Sequence, residues 1–549
     1  MRKWRPIDEV SMRHFWVKVF AVLAMALGGG HVAVAQSPAM QGSAATVAIA
    51  PRLHFSPEEM RLAKAAASDP ALAAFYGANG LKPVFTGPEG KVRRQALREA
   101  ITNMPAHGIS VSRYRPQALA AAGEDLAAEM MHARMLARLI HDLTGGVIDP
   151  AKAVPGVHRK VSRPSAARLM GKFVLSDDPA ALLSGLAPQN RAYGALQTAL
   201  QEMSALSPPT DLPRAPEAVW RLGMRGDGVL PLRERLASIG FAADSSDPRL
   251  YDEALSQAVA RYQQAVGLDP DGVAGPNTIR RLNSDGVDAR SRAVLIALER
   301  MRWMGDEDLE KRLVWVNIPE FTARILEGGE EVFRTRVVVG KTEADMQTPE
   351  FSDQMEYVVV NPRWNVPRSI TVKEYLPKLK ANRYAVSHLD VVDGNGNVVP
   401  RDNIDFARYT AANFPYRMRQ KPSGDNALGL VKFIFPNNWN IYLHDTPTKY
   451  LFAERQRAYS HGCIRIGDPF DLAYQLLSQQ SDDPRGVFHR ALDSGRETWL
   501  HLKPNVPVHL VYFTAFPDDA GNIQYFNDIY GRDATIWSLM EKAGLDLGA

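Results

Sequence analysis

Leu313-Val314-Trp315-Val316-Asn317-Ile318 marks a change of hydrophobic period along the chain. Upstream, apolar residues recur every three or four positions; beyond about residue 310 they recur every two, the spacing of strands. Phe321 to Leu326, Val332 to Val339 and Glu356 to Val360 continue the strand-like series, separated by Gly or Pro. Residues 367–428 interrupt it with mixed polarity, a helix-like stretch near Val372 to Lys380 and a turn at Asp393-Gly394-Asn395-Gly396. Strand character resumes at Gly429 to Phe435 and Asn440 to His444. A helix follows from Pro469 to Leu477, then a late strand from Val506 to Phe513. The pattern predicts a mostly β domain over 310–515 carrying an insertion at 367–428, with a C-terminal extension over 516–549.

Toward the N-terminus, residues 61–206 read as a helical domain. Arg93 to Asn103 and Leu126 to Leu143 carry apolar residues at helical spacing, punctuated by Asn79-Gly80, Gly87-Pro88 and Gly145-Gly146. Ser207-Pro208-Pro209 through Pro213 and Pro216 read as a linker. A compact unit over 217–284 then offers amphipathic helices at Leu230 to Ile239 and Ala254 to Val266, a turn at Asp269-Pro270-Asp271-Gly272, and a short third helix through Leu282 capped by Thr278. The fold class is multidomain α+β: a helical N-terminal scaffold, a small three-helix module and a mostly β domain with an insertion. At 549 residues the chain is too long for one core.

The first 35 residues read as an export signal. Arg2, Lys3, Arg5 and Arg13 precede the apolar run Val19 to Leu27, and Ala33-Val34-Ala35 offers a small-x-small cleavage site. Residues 36–60, rich in Ala, Ser, Gln and Pro, read as a flexible leader. No later segment is apolar enough to span a bilayer, so the mature chain is expected to be soluble outside the cytoplasm. The formal charge of +4, with no dominant Lys/Arg block, argues against nucleic acid as the main partner. No clustered ligand spacing suggests a metal, and no cofactor is expected.

The chain has one cysteine, so no internal disulfide is possible. Cys463 lies in Ser460-His461-Gly462-Cys463-Ile464-Arg465. A lone cysteine is ordinarily a small core hydrophobe, but this setting supplies what a nucleophile needs. Gly462 removes a side chain beside the thiol, so a substrate carbonyl can approach the backbone. His461 and His444 are both candidate partners, and Arg465 falls on the same face of an extended segment as Cys463. Tyr442 and His444, in the alternating run Trp439 to His444, likewise share a face.

The segments Ile441-Tyr442-Leu443-His444-Asp445-Thr446-Pro447 and Ser460 to Ile466 together resemble the signature of the L,D-transpeptidase catalytic domain. Asn361-Pro362-Arg363-Trp364-Asn365-Val366-Pro367, Asn426-Ala427-Leu428-Gly429 and Lys432-Phe433 are similar to the large periplasmic branch of that family, which also has a helical scaffold and a peptidoglycan-binding module. Residues 217–284 resemble that module through Leu222-Gly223, Leu232 to Gly240, Tyr262-Gln263 and Gly275-Pro276-Asn277-Thr278, and 367–428 resemble the branch's capping subdomain.

The resemblance implies Cys463 as nucleophile and His444 as general base, oriented by the backbone carbonyl of Asp445, whose side chain is expected to be a turn residue only. Tyr442 and the N–H groups of Gly462 and Cys463 would form the oxyanion hole. His461 would brace the loop or tune the thiolate. Arg465 would bind a substrate carboxylate or stabilise the loop, and Trp364 would line the cleft or fill the core. The implied reaction is a 3→3 peptidoglycan cross-link through a thioester with release of D-alanine; the alternative with the same site is carboxypeptidation by water or exchange of the terminal D-amino acid. Carbapenems would acylate the same thiol. The implied partners are stem peptides, glycan and peptidoglycan synthases, and the implied compartment is the periplasm. A wall-binding structural protein with a silent thiol is the reading of a different class, disfavoured by the intact His444 and Cys463.

Overall fold

The computed structural model describes residues 54–545, except 206–211, 267, 284–288 and 306. The expected signal at 1–35 and the leader up to residue 53 lie outside the described residues. The end of the leader is helical rather than flexible. Ser56 Oγ accepts from Glu59 N at 3.1 Å while Glu59 Oε2 accepts from Ser56 N at 2.7 Å, and this reciprocal cap starts a helix over Pro57–Ala66.

The helical domain is built around Leu126–Gly145, whose buried face includes Leu136, Leu139, Ile140 and Leu143. Glu129 on this helix is itself buried. Its carboxylate accepts from Tyr76 Oη and from the N–H groups of Val84, Phe85 and Thr86, so its burial is fully compensated. The core is not made by residues 57–205 alone. Val294, Leu298 and Met301 from the helix Ala289–Arg302 join it, as do Ile536 and Met540 from the helix Arg532–Lys542. The described part of the extension, 516–545, thus contributes to the scaffold core through Phe516, Ile536 and Met540.

The small module packs helices Val229–Ser238, Glu253–Ala265 and Pro276–Asn283 around Leu232, Leu255, Tyr262 and Ile279. Thr278 does not cap the third helix. It sits within it, buried, where its hydroxyl accepts from Gln263 Nε2 at 3.0 Å; Gln263 Oε1 in turn accepts from the N–H of Gly272 in the preceding turn.

Twelve strands shape the catalytic region: β1 Leu313–Asn317, β2 Thr322–Glu327, β3 Glu330–Gly340, β4 Phe351–Val360, β5 Trp364–Asn365, β6 Asp390–Val392, β7 Arg417–Gln420, β8 Val431–Ile434, β9 Leu443–His444, β10 Ala458–Ser460, β11 Ile464–Ile466 and β12 Thr498–Val511. The main sheet runs β10-β3-β11-β9-β8-β4-β12-β1-β2, and β2 also pairs with β3, so the sheet curls back on itself. β1 is buried on both faces. Val314 and Val316 face the core of the sheet, whereas Leu313 and Trp315 face the helical scaffold. This double burial is why its sequence is nearly all apolar.

The insertion folds as its own small layer, with β5-β7-β6 and a helical stretch over Arg368–Ala381 around Trp364, Leu379, Phe406 and Met418. The predicted strand from Trp439 to His444 is shorter than expected. Asn437 Oδ1 accepts from the N–H groups of Trp439 and Ile441, and Asn440 adopts a left-handed φ of +55°, so only Leu443–His444 enters the ladder.

Candidate active site

β9 and β11 lie side by side and parallel, with Leu443 opposite Ile464 and His444 opposite Arg465. Leu443, Ile464 and Ile466 point into the sheet core. The alternate residues Tyr442, His444, Cys463 and Arg465 therefore share the opposite face, beneath the insertion. The aromatic rings of Tyr442 and His444 stand 5.7 Å apart. The backbone and side chain of Tyr442 both act on the sulfur of Cys463 to favour its thiolate, and the thiol donates to Asn440 O at 3.6 Å.

His444 is buried, and its Nδ1 lies 2.5 Å from the carbonyl oxygen of Asp445. A carbonyl only accepts, so Nδ1 carries the proton and Nε2 is left as the basic nitrogen. Burial holds His444 down at about 3, with Arg465, Lys432 and Lys449 adding positive charge around it. Burial also pushes the Cys463 thiol up to about 11, against the contrary pull of Tyr442 and Arg465. Near neutral pH the site rests as a thiol beside a neutral imidazole.

The loop that carries Cys463 is clamped from behind. Gly462 has φ +112°, and a Cβ there would come within 3.1 Å of Ile441 Cδ1, so glycine is required. Its carbonyl accepts from Thr348 Oγ1 at 2.7 Å, and its N–H donates to Ser460 Oγ at 3.1 Å. Ser460 Oγ donates to Cys463 O. Thr348 is held in turn by the N–H of Gly340 on its hydroxyl, and its own N–H donates to Tyr530 Oη. Beyond the loop, a cleft of about 500 Å³ is lined by His158, Gln347, Trp439, Ile441 and Tyr530 among others, with His158 stacked on Trp439 at 4.6 Å.

Residues 311–504 match the family model described as "L,D-transpeptidase catalytic domain". The chain carries an L,D-transpeptidase catalytic domain. Residues 70–200 match the model described as "Scaffold domain", and 225–282 that described as "Putative peptidoglycan binding domain". A protein of Haemophilus influenzae described as "Putative L,D-transpeptidase" is 37% identical over 237 residues, which is 42% of this chain and 47% of the relative. The chain thus spans about half the length of that relative. Solved L,D-transpeptidases from Xylanimonas cellulosilytica and Stackebrandtia nassauensis are 16% and 14% identical. They cover 55% and 56% of this chain and 98% and 97% of their own, but at TM-scores of 0.15 neither carries weight.

Within the L,D-transpeptidase domain, several expected site residues have other partners. His461 Nε2 lies 2.6 Å from Glu374 Oε1 of the insertion, a bracing contact, while His444 lies on the strand paired with β11, which follows Cys463. The N–H of Gly462, expected as an oxyanion donor, is engaged by Ser460 Oγ. Trp364 is buried in the core of the insertion and its indole contacts the Tyr442 hydroxyl. Arg465 Nη1 donates to Thr448 Oγ1 at 3.0 Å, leaving its Nε buried without a partner. The carboxylate of Asp445 does more than turn the chain. It accepts from the N–H groups of Leu430 and Thr446 and from Lys449 Nζ, fixing the carbonyl that orients His444. The clamping roles of Thr348, Ser460 and Tyr530 were not foreseen; Thr348 and Tyr530 lie far from the cysteine in sequence and carry no motif of their own, while Ser460 was read only as part of the cysteine motif.

Among the described residues, no group of three or more His, Cys, Asp or Glu side chains could hold a metal ion, and no helix is long and apolar enough to cross a membrane.

Proposed function

We propose that this chain is a peptidoglycan enzyme of the periplasm that joins stem peptides 3→3 through a thioester on Cys463. The observation that carries the reading is the shared sheet face of Cys463, Tyr442 and His444, with the basic Nε2 fixed by the Asp445 carbonyl. Sulfur attacks the carbonyl of the third stem residue, a diamino acid, as its proton passes to Nε2. The developing oxyanion is held by the Tyr442 hydroxyl and the N–H of Cys463. Imidazolium then returns the proton to the departing D-alanine amine, leaving the thioester. The side-chain amine of a second stem, giving its proton to Nε2, attacks that thioester and releases the thiol. The cleft beyond His461 and Gly462 offers the second stem room to approach. A neutral resting pair suits this cycle, because charge appears only as sulfur attacks.

The module at 217–284 supports peptidoglycan as the partner. Incubation with disaccharide-tetrapeptide is expected to give a cross-linked dimer with loss of D-alanine, read by mass spectrometry. Tripeptide alone would replace the transferase by a carboxypeptidase. Cys463→Ala is expected to abolish both product and covalent labelling by a carbapenem; labelling that survives removes Cys463 from the mechanism, since the chain has no other cysteine.

A further inference from the structure

One register row of the sheet passes through the imidazole. Val359 on β4 pairs with Lys432 on β8, Lys432 with His444 on β9, and His444 with Arg465 on β11. Residues paired across strands point to the same face, so an ammonium and a guanidinium flank His444. Their counter-charges are elsewhere. The one carboxylate beside them, that of Asp445, is bound to Lys449 and two backbone N–H groups. Lys432 lies over the Trp499 ring at 5.4 Å and feels Glu497 only at longer range; Glu497 itself accepts from Arg363 N. Arg465 has Thr448 on one nitrogen and nothing on its buried Nε. Among the described residues, neither cation has a carboxylate within ion-pairing distance. Two half-buried cations without a counter-ion are costly, and an incoming anion would relieve them.

We infer that Lys432 and Arg465 form a carboxylate subsite for the donor stem, one cation on each side of the general base. The inference rests on acyl transfer at Cys463. Two carboxylates of such a donor fit the chemistry: the α-carboxylate of the terminal residue that departs, and the side-chain carboxylate of the diamino acid. The first lies two bonds from the scissile nitrogen, which His444 must reach to protonate. A subsite there selects stems that end one residue after the attacked carbonyl, because a longer stem presents a neutral amide instead.

The test uses the full chain carrying Cys463→Ala, so that binding is read without turnover. Calorimetric titration compares disaccharide-tetrapeptide in three forms: both carboxylates free, the terminal one amidated, or the side-chain one amidated. One amide is expected to bind about tenfold more weakly than the free acid, and which one it is names the source. Lys432→Met, which keeps the stem over Trp499, is expected to weaken the free acid by a similar factor and to erase its advantage over that amide; Lys432→Arg is expected to retain it. Equal affinity for all three peptides overturns the inference, as does a Lys432→Met chain that still discriminates. The three-peptide comparison stands even if the Lys432 variants fail to fold. Absence of product from the unsubstituted chain, with discrimination intact, would count against acyl transfer and leave the subsite standing.

Discussion

The hydroxyl of Tyr442 has two tasks at one sulfur. It acts on the Cys463 sulfur at rest, favouring the thiolate, and under the proposed mechanism it would meet the oxyanion when the carbonyl is attacked. Tyr442→Phe is expected to lower kcat by about 10²- to 10³-fold with KM little changed, the usual effect of deleting one oxyanion donor; a loss smaller than fivefold in steady-state assays would remove that role. The pH profile follows from burial. His444 stays neutral until pH falls toward about 3, and the thiol keeps its proton until pH rises toward about 11. Carbapenem acylation, followed by stopped flow, is expected to be flat between about pH 5 and 9, because the competent thiol and imidazole both persist there. An inflection near the ordinary histidine value would contradict this. Tyr442 and His444 were legible in the sequence as one strand face because of their period of two, and Cys463 was joined to them by the resemblance of the two segments to the family signature. The work of the Asp445 carboxylate was not legible, since its donors at Leu430 and Lys449 meet it only once β8 and β9 pair.

The insertion reaches the domain beneath it through two polar contacts on its helical stretch. Glu374 meets His461, and Lys373 Nζ meets Asp345 Oδ2 at 2.9 Å. If this layer limits water at the thioester, loosening it should favour hydrolysis over transfer. Glu374→Gln is expected to raise the tripeptide-to-dimer ratio by up to about fivefold, the most that a partly exposed pair supports, with the rate of carbapenem labelling unchanged. An unaltered product ratio would sever the insertion from partitioning. Helix limits at this scale were close to expectation, as at Pro469–Leu477, which matches its prediction. The strand before His444 was misjudged because a single side chain, Asn437, outbid the ladder for two backbone N–H groups.

Across the whole molecule, the scaffold and the L,D-transpeptidase domain share one buried ionic junction. Glu350, next to β4, accepts from Arg300 Nη1 at 2.6 Å and from Arg532 Nη1 at 2.8 Å, while Arg532 Nη2 donates to Thr348 O at 3.0 Å. Its backbone pairs with Val157, whose neighbours line the cleft behind Gly462. Glu350→Gln leaves two buried guanidinium groups short of charge and is expected to destabilise the chain by about 3 kcal/mol or more, read from the midpoint of urea unfolding. A change below about 1 kcal/mol would show the junction to be relaxed or solvated. None of this was legible in sequence, where residues 516–549 read as an extension and 289–302 had no assignment.

That junction also sets an order of events in time. The scaffold core begins at Leu62, but it is completed by Leu298, Ile536 and Met540. The buttress behind the cysteine loop, Tyr530 and Arg532, belongs to the same late-made stretch. As the ribosome makes the chain from its N-terminus, Cys463, Ser460 and Thr348 are all made well before the residues that hold Thr348 in its turn. A chain halted short of Tyr530 would have its thiol and its imidazole, yet lack both Tyr530 and Arg532, the outer support of Thr348 behind the cysteine loop.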